Sequence, residues 1–141
     1  MDWIEDGLAI GNLDDALAGD RLREGGIASV LTLSEFPTRP RPGFEWRCEP
    51  LRDGAGNSHE QFSAALDHLA TLHAGHPGVL VHCAEGKSRS VVIVALHLAR
   101  TRQWDPEVAL EHVCSRRPAA LPDHVLWARA RTFFEAMTST R

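Results

Sequence analysis

The sequence has 141 residues, 43% of them hydrophobic, a formal net charge of −4 and three cysteines, Cys48, Cys83 and Cys114. That is enough apolar material for one compact domain over residues 1–141 without a disulfide framework or structural metal, and the odd, sparse cysteine count points to a reducing, cytoplasmic setting. A general nucleic-acid binder, which needs a basic excess, and a helical membrane protein, which needs about 20 consecutive apolar residues, are both excluded as readings; residues 1–6 carry acids and no apolar core, so no signal peptide is expected.

No internal repeat, low-complexity tract or linker interrupts the chain. Trp3-Ile4 and Leu8-Ala9-Ile10 flank the turn-like Glu5-Asp6-Gly7, the pattern of a hairpin. Residues 14–23 read as one short helix stopped by Gly25-Gly26. Residues 27–33 form a short β-rich run expected to be a buried strand. The proline-rich stretch 37–43 reads as an exposed loop, and 44–51 as the next strand. Ser58-x-x-Gln61 is a capping box, so a helix starts there. Phe62, Leu66, Leu69 and Leu72 follow at helical spacing up to Gly75. Val79-Leu80-Val81 is a short apolar strand, and 88–102 a long apolar helix. Asp105 caps the next helix with Pro106 at its first position, and a last helix covers 123–137. Strands alternate with helices, which predicts an α/β fold: a mainly parallel central sheet flanked by helices.

The chemistry concentrates in Val79–Ser90, VLVHCAEGKSRS. A strand ends at His82-Cys83, a loop runs to Arg89, and a helix follows at once. Ligands of open α/β sheets sit at the carboxyl ends of strands. A loop entering a helix there points several N–H groups into one concavity, and the helix dipole adds positive potential. Gly86 permits the tight curl. The backbone of Ala84, Glu85, Gly86, Lys87, Ser88 and Arg89 would thus cradle a tetrahedral dianion. A thiol in such surroundings ionises at roughly 3.5–7.5 instead of about 8.5, so Cys83 is expected to be a thiolate and a nucleophile. Arg89 offers a planar fork for two phosphate oxygens. Ser90 is placed to donate a hydrogen bond to the sulfur, and His82 to shape the loop rather than to move protons. Lys87, the single lysine of the chain, is either a second substrate cation or a solvated side chain.

His82-Cys83-x-x-Gly86-x-Ser88-Arg89-Ser90 resembles the signature of the protein tyrosine phosphatase superfamily, in its small dual-specificity branch. The resemblance extends over nearly the whole chain: the opening hairpin, Gly26-Ile27-x-x-Val30-Leu31, and Ala109-Leu110-x-x-Val113 followed by Arg116-Arg117-Pro118 all look like family segments. It implies a tyrosine phosphatase-like fold and hydrolysis of phosphate monoesters through a phosphocysteine, with no cofactor and no metal. It also implies a general acid on a mobile loop about thirty residues before the cysteine. Asp53, in Arg52-Asp53-Gly54-Ala55-Gly56, meets that spacing; a plain turn aspartate is the alternative. Arg116 and Arg117 resemble a pair near the pocket rim, although a helix C-terminus attracts arginines in any case. Cys48 and Cys114 are read as small core residues, and Trp46, Trp104 and Trp127 as core or rim packing.

Three departures from the family pattern stand out. Asp123 replaces an asparagine that usually supports the loop, and either alters it or caps the last helix. Glu85 puts an acid in the loop. Ala84 and Lys87 supply half of the basic pair seen in relatives that prefer inositol lipids. The chain has no tyrosine and little room for the recognition loop of classical tyrosine-specific enzymes, so the resemblance implies a shallow pocket. The expected partner is a phosphorylated protein, with phosphotyrosine first and phosphoserine or phosphothreonine next, acted on by a monomer without a membrane. The alternatives are a non-protein substrate (a phosphoinositide, an RNA 5′ end or a small phosphomonoester) and a non-catalytic phosphate-binding module.

Overall fold

The computed structural model describes residues 1–35 and 39–139. Strands β1 (Asp2–Glu5), β2 (Leu8–Gly11), β3 (Ser29–Thr32), β4 (Glu45–Cys48) and β5 (Val79–His82) form one sheet in the order β1-β2-β5-β3-β4. Only β1 runs antiparallel to its neighbour, closing the expected hairpin; the other three junctions are parallel. The α/β expectation therefore holds, with β5 at the centre of the sheet.

Side-chain alternation explains the two layers on its faces. Val79 and Val81 of β5, Leu8 and Ile10 of β2 and Leu31 of β3 point into the main core. That core is covered by α3 (His59–Gly75), α4 (Arg89–Arg102), α5 (Pro106–Arg116) and α6 (His124–Ser139). Leu80, Ala9 and Val30 point the other way, into a smaller cluster with Ala16, Leu22 and Ile27. Helices α1 (Leu13–Leu17) and α2 (Gly19–Glu24) close that face. Every residue of α4 from Ser90 to Ala99 is buried, as befits a helix wedged among three others and the sheet. No helix among the described residues is long and apolar enough to cross a membrane.

Several expectations need correction. The single helix over 14–23 is two, broken at Ala18 (φ −90°, ψ 62°). Asn12 and Asp15 form a capping box that starts α1 earlier than expected, and Gly19, a poor helix-interior residue, opens the second helix instead of continuing the first. Strands β3 and β4 are shorter than the runs that announced them. Cys48 is exposed, because β4 is an edge strand; Cys114 is partly buried against the core, as are Trp104 and Trp127. Of the proline-rich loop, Pro37 and Thr38 lie outside the described residues, while 39–43 is irregular and exposed.

Among the apolar residues of α4 sits His97, 2% exposed. His73 Nε2 lies 3.3 Å from the Asp6 carbonyl and so must donate; His73 Nδ1 then accepts from His97 Nε2 at 3.0 Å. This leaves His97 Nδ1 a bare lone pair without a partner among the described residues. Burial first, then the His73 ring and Arg100, hold the His97 pKa down at about 4 from an ordinary 6.5. Between those values the unfolded chain binds the proton and the folded chain does not, so stability is full above pH 6.5 and is lost as the pH falls toward 4. The loss attributable to His97 is about 3 kcal/mol. Urea denaturation of wild type and His97→Gln from pH 7 to 4 is expected to show a shallower decline in the variant. Parallel declines would remove His97 as the source.

Candidate active site

The site stands at the carboxyl end of β5. Cys83 directly follows this central strand and is 2% exposed, and α4 begins six residues later at Arg89. The 83–89 loop between them is held from outside by its carbonyls. Leu13 N–H donates to the Ala84 carbonyl at 3.1 Å and Leu121 N–H to that of Lys87 at 2.8 Å. Arg117 serves the two between: Nε donates to the Gly86 carbonyl at 3.0 Å and Nη2 to that of Glu85 at 3.4 Å. Gly86 has φ +67°, and a Cβ there would lie 2.5 Å from both the Gly11 carbonyl oxygen and Arg117 Nη2. No other residue fits that position without moving backbone.

The side chains expected to act together do meet. Cys83 Sγ lies 3.3 Å from Ser90 Oγ, in the first turn of α4. Arg89 donates through Nη1 to the Leu51 carbonyl at 3.1 Å, which fixes its fork. Asp53 approaches from the other side: its Oδ1 accepts from Ser88 Oγ at 2.6 Å. Asp53, Cys83, Ala84, Glu85, Lys87, Ser88 and Arg89 line one pocket of about 270 Å³. A larger hollow of about 440 Å³ lies at the far end of α4, around His73 and His97. It shares no residue with the cysteine loop, so size is no guide to the chemistry here.

His82 is fully buried behind the loop. Its Nδ1 lies 3.3 Å from the Cys83 carbonyl and must donate to it; Nε2 sits 2.7 Å from Thr32 Oγ1, which in turn accepts from Trp46 Nε1 at 2.8 Å. Burial lowers the His82 pKa, against the opposing pull of the Cys83 carbonyl. A neutral ring donating at Nδ1 and accepting at Nε2 satisfies every contact, so His82 shapes the loop start by hydrogen bonds. Trp46 thus does more than pack: it anchors this chain of contacts.

The sequence places Ser88 among the phosphate-binding residues. Its hydroxyl is instead taken by protein groups, donating to Asp53 and accepting from the Asp123 N–H at 2.8 Å, which leaves its backbone for a ligand. The Asp123 carboxylate turns away and accepts from Leu126 N–H at 2.9 Å, capping α6. Its charge therefore does not enter the loop, and its backbone takes over the supporting contact. Glu85 is largely exposed at the rim, 3.7 Å from Lys87 Nζ.

Two contributors go beyond the sequence reading. Of the pair read as either pocket-rim residues or ordinary helix-end arginines, Arg117 is 6% exposed and bound to the loop, while Arg116 is exposed. Asn57 closes the loop that carries Asp53: its Oδ1 accepts from Arg52 N–H and its Nδ2 donates to the Arg52 carbonyl, both at 2.8 Å. Gly54 and Gly56, at φ +132° and +103°, make the turn that this clamp requires.

Comparison with known proteins bears on the family and the fold. The family model "Dual specificity phosphatase, catalytic domain" matches residues 22–135. Dual specificity protein phosphatase 1 of Arabidopsis thaliana is 31% identical over 122 residues, 85% of this chain and 62% of that protein. Tyrosine-protein phosphatase yvh1 of Schizosaccharomyces pombe is 42% identical over 79 residues, 56% of this chain and 24% of that protein. The chain thus spans about three fifths, or less, of the length of these relatives. Among solved structures, a mouse putative dual specificity phosphatase complexed with zinc tungstate matches with TM-score 0.86 and 27% identity, covering 99% of this chain and 89% of that one. Human DUSP28 shares the fold, with TM-score 0.88 and 24% identity over the full length of both chains. By its signature loop, its fold and the span of the family match, the chain belongs to the dual specificity phosphatase catalytic domain family.

Proposed function

We propose that the protein hydrolyses phosphate monoesters on proteins through a phosphocysteine at Cys83, with phosphotyrosine as the first substrate and phosphoserine or phosphothreonine next. The observation that carries this reading is the convergence of a buried thiol, a fixed guanidinium and a carboxyl group on one small pocket. In the first step Cys83 Sγ attacks phosphorus and the P–O ester bond breaks in line. Arg89, with one N–H spent on Leu51, keeps the rest of its fork for the equatorial oxygens, whose charge it stabilises. Asp53 protonates the departing oxygen. Ser88 occupies its Oδ1, so the transferable proton sits on Oδ2. In the second step the same carboxylate takes a proton from water, the water oxygen bonds to phosphorus, and the S–P pair returns to Cys83. Ser90 O–H steadies the thiolate as it leaves.

The rim favours protein over inositol polyphosphate substrates. Lys87 is the exposed cation of the loop, and Glu85 partly cancels it. A multiply phosphorylated ring would meet that carboxylate, whereas a single phosphate on a peptide side chain need only reach the floor. Phosphate release from a simple aryl phosphate, followed by a screen over phosphopeptides, inositol lipids and nucleotides, tests this reading. Vanadate, a trigonal mimic of the phosphoryl group in transit, is expected to compete with substrate, and chelators to have no effect. Full turnover in saturating vanadate, or a requirement for metal, would count against the mechanism. Preference for an inositol lipid over every phosphopeptide would overturn the substrate assignment.

A further inference from the structure

We infer that Arg117, braced by Asp2, is a positioning residue that preforms the oxyanion nest of the 83–89 loop. The inference rests on the phosphatase reading of that loop. Four consecutive carbonyls, those of Ala84, Glu85, Gly86 and Lys87, each accept a hydrogen bond from a donor behind the loop. The amide N–H groups of Glu85, Gly86, Lys87 and Ser88, each one residue further on, find no acceptor among the described residues. A peptide unit is planar, so a carbonyl held outward turns the N–H of the next residue inward. Outward anchoring of the carbonyls is therefore what aims the amides at an anion.

The outer two carbonyls are held by backbone N–H groups of Leu13 and Leu121. The inner two, at the crown of the loop where Gly86 takes its positive φ, depend on one side chain. Arg117 suits this task because its planar fork spans two neighbouring carbonyls at once, which an ammonium group does not match. Its third corner, Nη1, is fixed by Asp2 Oδ2 of β1 at 2.9 Å. That carboxylate neutralises a guanidinium buried to within 6% of complete, and it orients the fork from the edge of the sheet. Three elements distant in sequence, β1, the end of α5 and the loop, are thereby joined at one cation. Arg117 itself does not line the pocket, so its effect on substrate passes through the loop.

The test is steady-state hydrolysis of an aryl phosphate with the full chain, with KM, kcat and the inhibition constants of vanadate and orthophosphate measured alongside melting temperature. Arg117→Ala is expected to raise the vanadate constant and KM at least about tenfold, the equivalent of one charged hydrogen bond lost to the loop. Arg117→Lys, which can reach one carbonyl but not both, is expected to recover part of that loss. Asp2→Asn keeps the hydrogen bond but not the charge, and is expected to weaken vanadate binding about two- to threefold. Arg117→Ala that melts earlier yet binds vanadate and substrate as wild type does would make the arginine merely structural and overturn the inference. If Arg117→Ala does not fold, Arg117→Lys and Asp2→Asn decide, and wild-type vanadate constants in both overturn it. A wild-type enzyme indifferent to vanadate would instead overturn the phosphatase reading and this inference with it.

Discussion

Cys83→Ser is expected to lose at least about 10⁴-fold in kcat on any phosphate monoester while melting and circular dichroism stay close to wild type. The size of the loss follows from the role proposed for Cys83: if its sulfur forms the covalent bond, removing it leaves only what binding and oriented dipoles contribute. A serine hydroxyl is not ionised at neutral pH, and among the described residues no base is hydrogen-bonded to Cys83 to take its proton. Ser90 Oγ is the side-chain group bonded to the sulfur, and Asp53 is engaged across the pocket with Ser88. The fold tolerates the change because serine is close to isosteric. In a pocket 2% open at this residue, the new hydroxyl can bond to Ser90 as the thiol does. The variant should therefore still capture a phosphopeptide without releasing phosphate. A turnover rate near wild type would remove Cys83 as nucleophile, whereas a variant that no longer melts cooperatively would mean that the thiol is needed for packing.

What is legible in the sequence is what depends on near neighbours. The alternation in β5 that sends Val79 and Val81 to one core and Leu80 to the other is a two-residue signal. The Ser58–Gln61 box lies within one helical turn and forms as expected, with Ser58 Oγ accepting from Gln61 N–H at 3.1 Å. The cysteine loop is a single nine-residue string whose glycine, arginine and serine fall where a strand-to-helix turn can use them. What is not legible depends on residues far apart in the chain. Arg117 meets the loop 31 residues away and Asp2 115 residues away, so nothing local separates it from the exposed Arg116 beside it. The exposure of Cys48 follows from strand order, because only the place of β4 at the sheet edge uncovers it. Asn57 is the intermediate case: an asparagine five residues after Arg52 in a glycine-rich turn is a local closing signal. It could have marked the Asp53 loop as ordered, as could Asn12 and Asp15 for the early start of α1.

Asp53→Asn is expected to cost most where the leaving oxygen is most basic. An alkyl or phenolic oxygen needs a proton as the P–O bond breaks, and donation by a placed carboxyl group is worth about 10²–10⁴ in rate. A strongly acidic phenol departs almost unaided, so with such a substrate the loss should shrink toward unity. The geometry makes the substitution a clean one. The amide oxygen of the introduced side chain could still accept from Ser88 Oγ, as the Asp53 carboxylate does at 2.6 Å. The Asn57 clamp on Arg52 does not involve the carboxylate, so the loop should keep its shape. The measurement is kcat/KM for wild type and variant over a series of aryl phosphates of rising leaving-group pKa. A steeper dependence in the variant is the expected result. Parallel lines would remove Asp53 from the mechanism, and the carboxylates next in reach along the chain, Glu60 and Asp67 on α3, would have to be tested. Asp67 already pairs with Arg100 at 3.7 Å, and neither residue lines the cysteine pocket. Parallel lines would therefore also mean that another carboxylate must move into the pocket before it acts, because no described carboxylate other than Asp53 and the rim residue Glu85 faces the pocket as it stands.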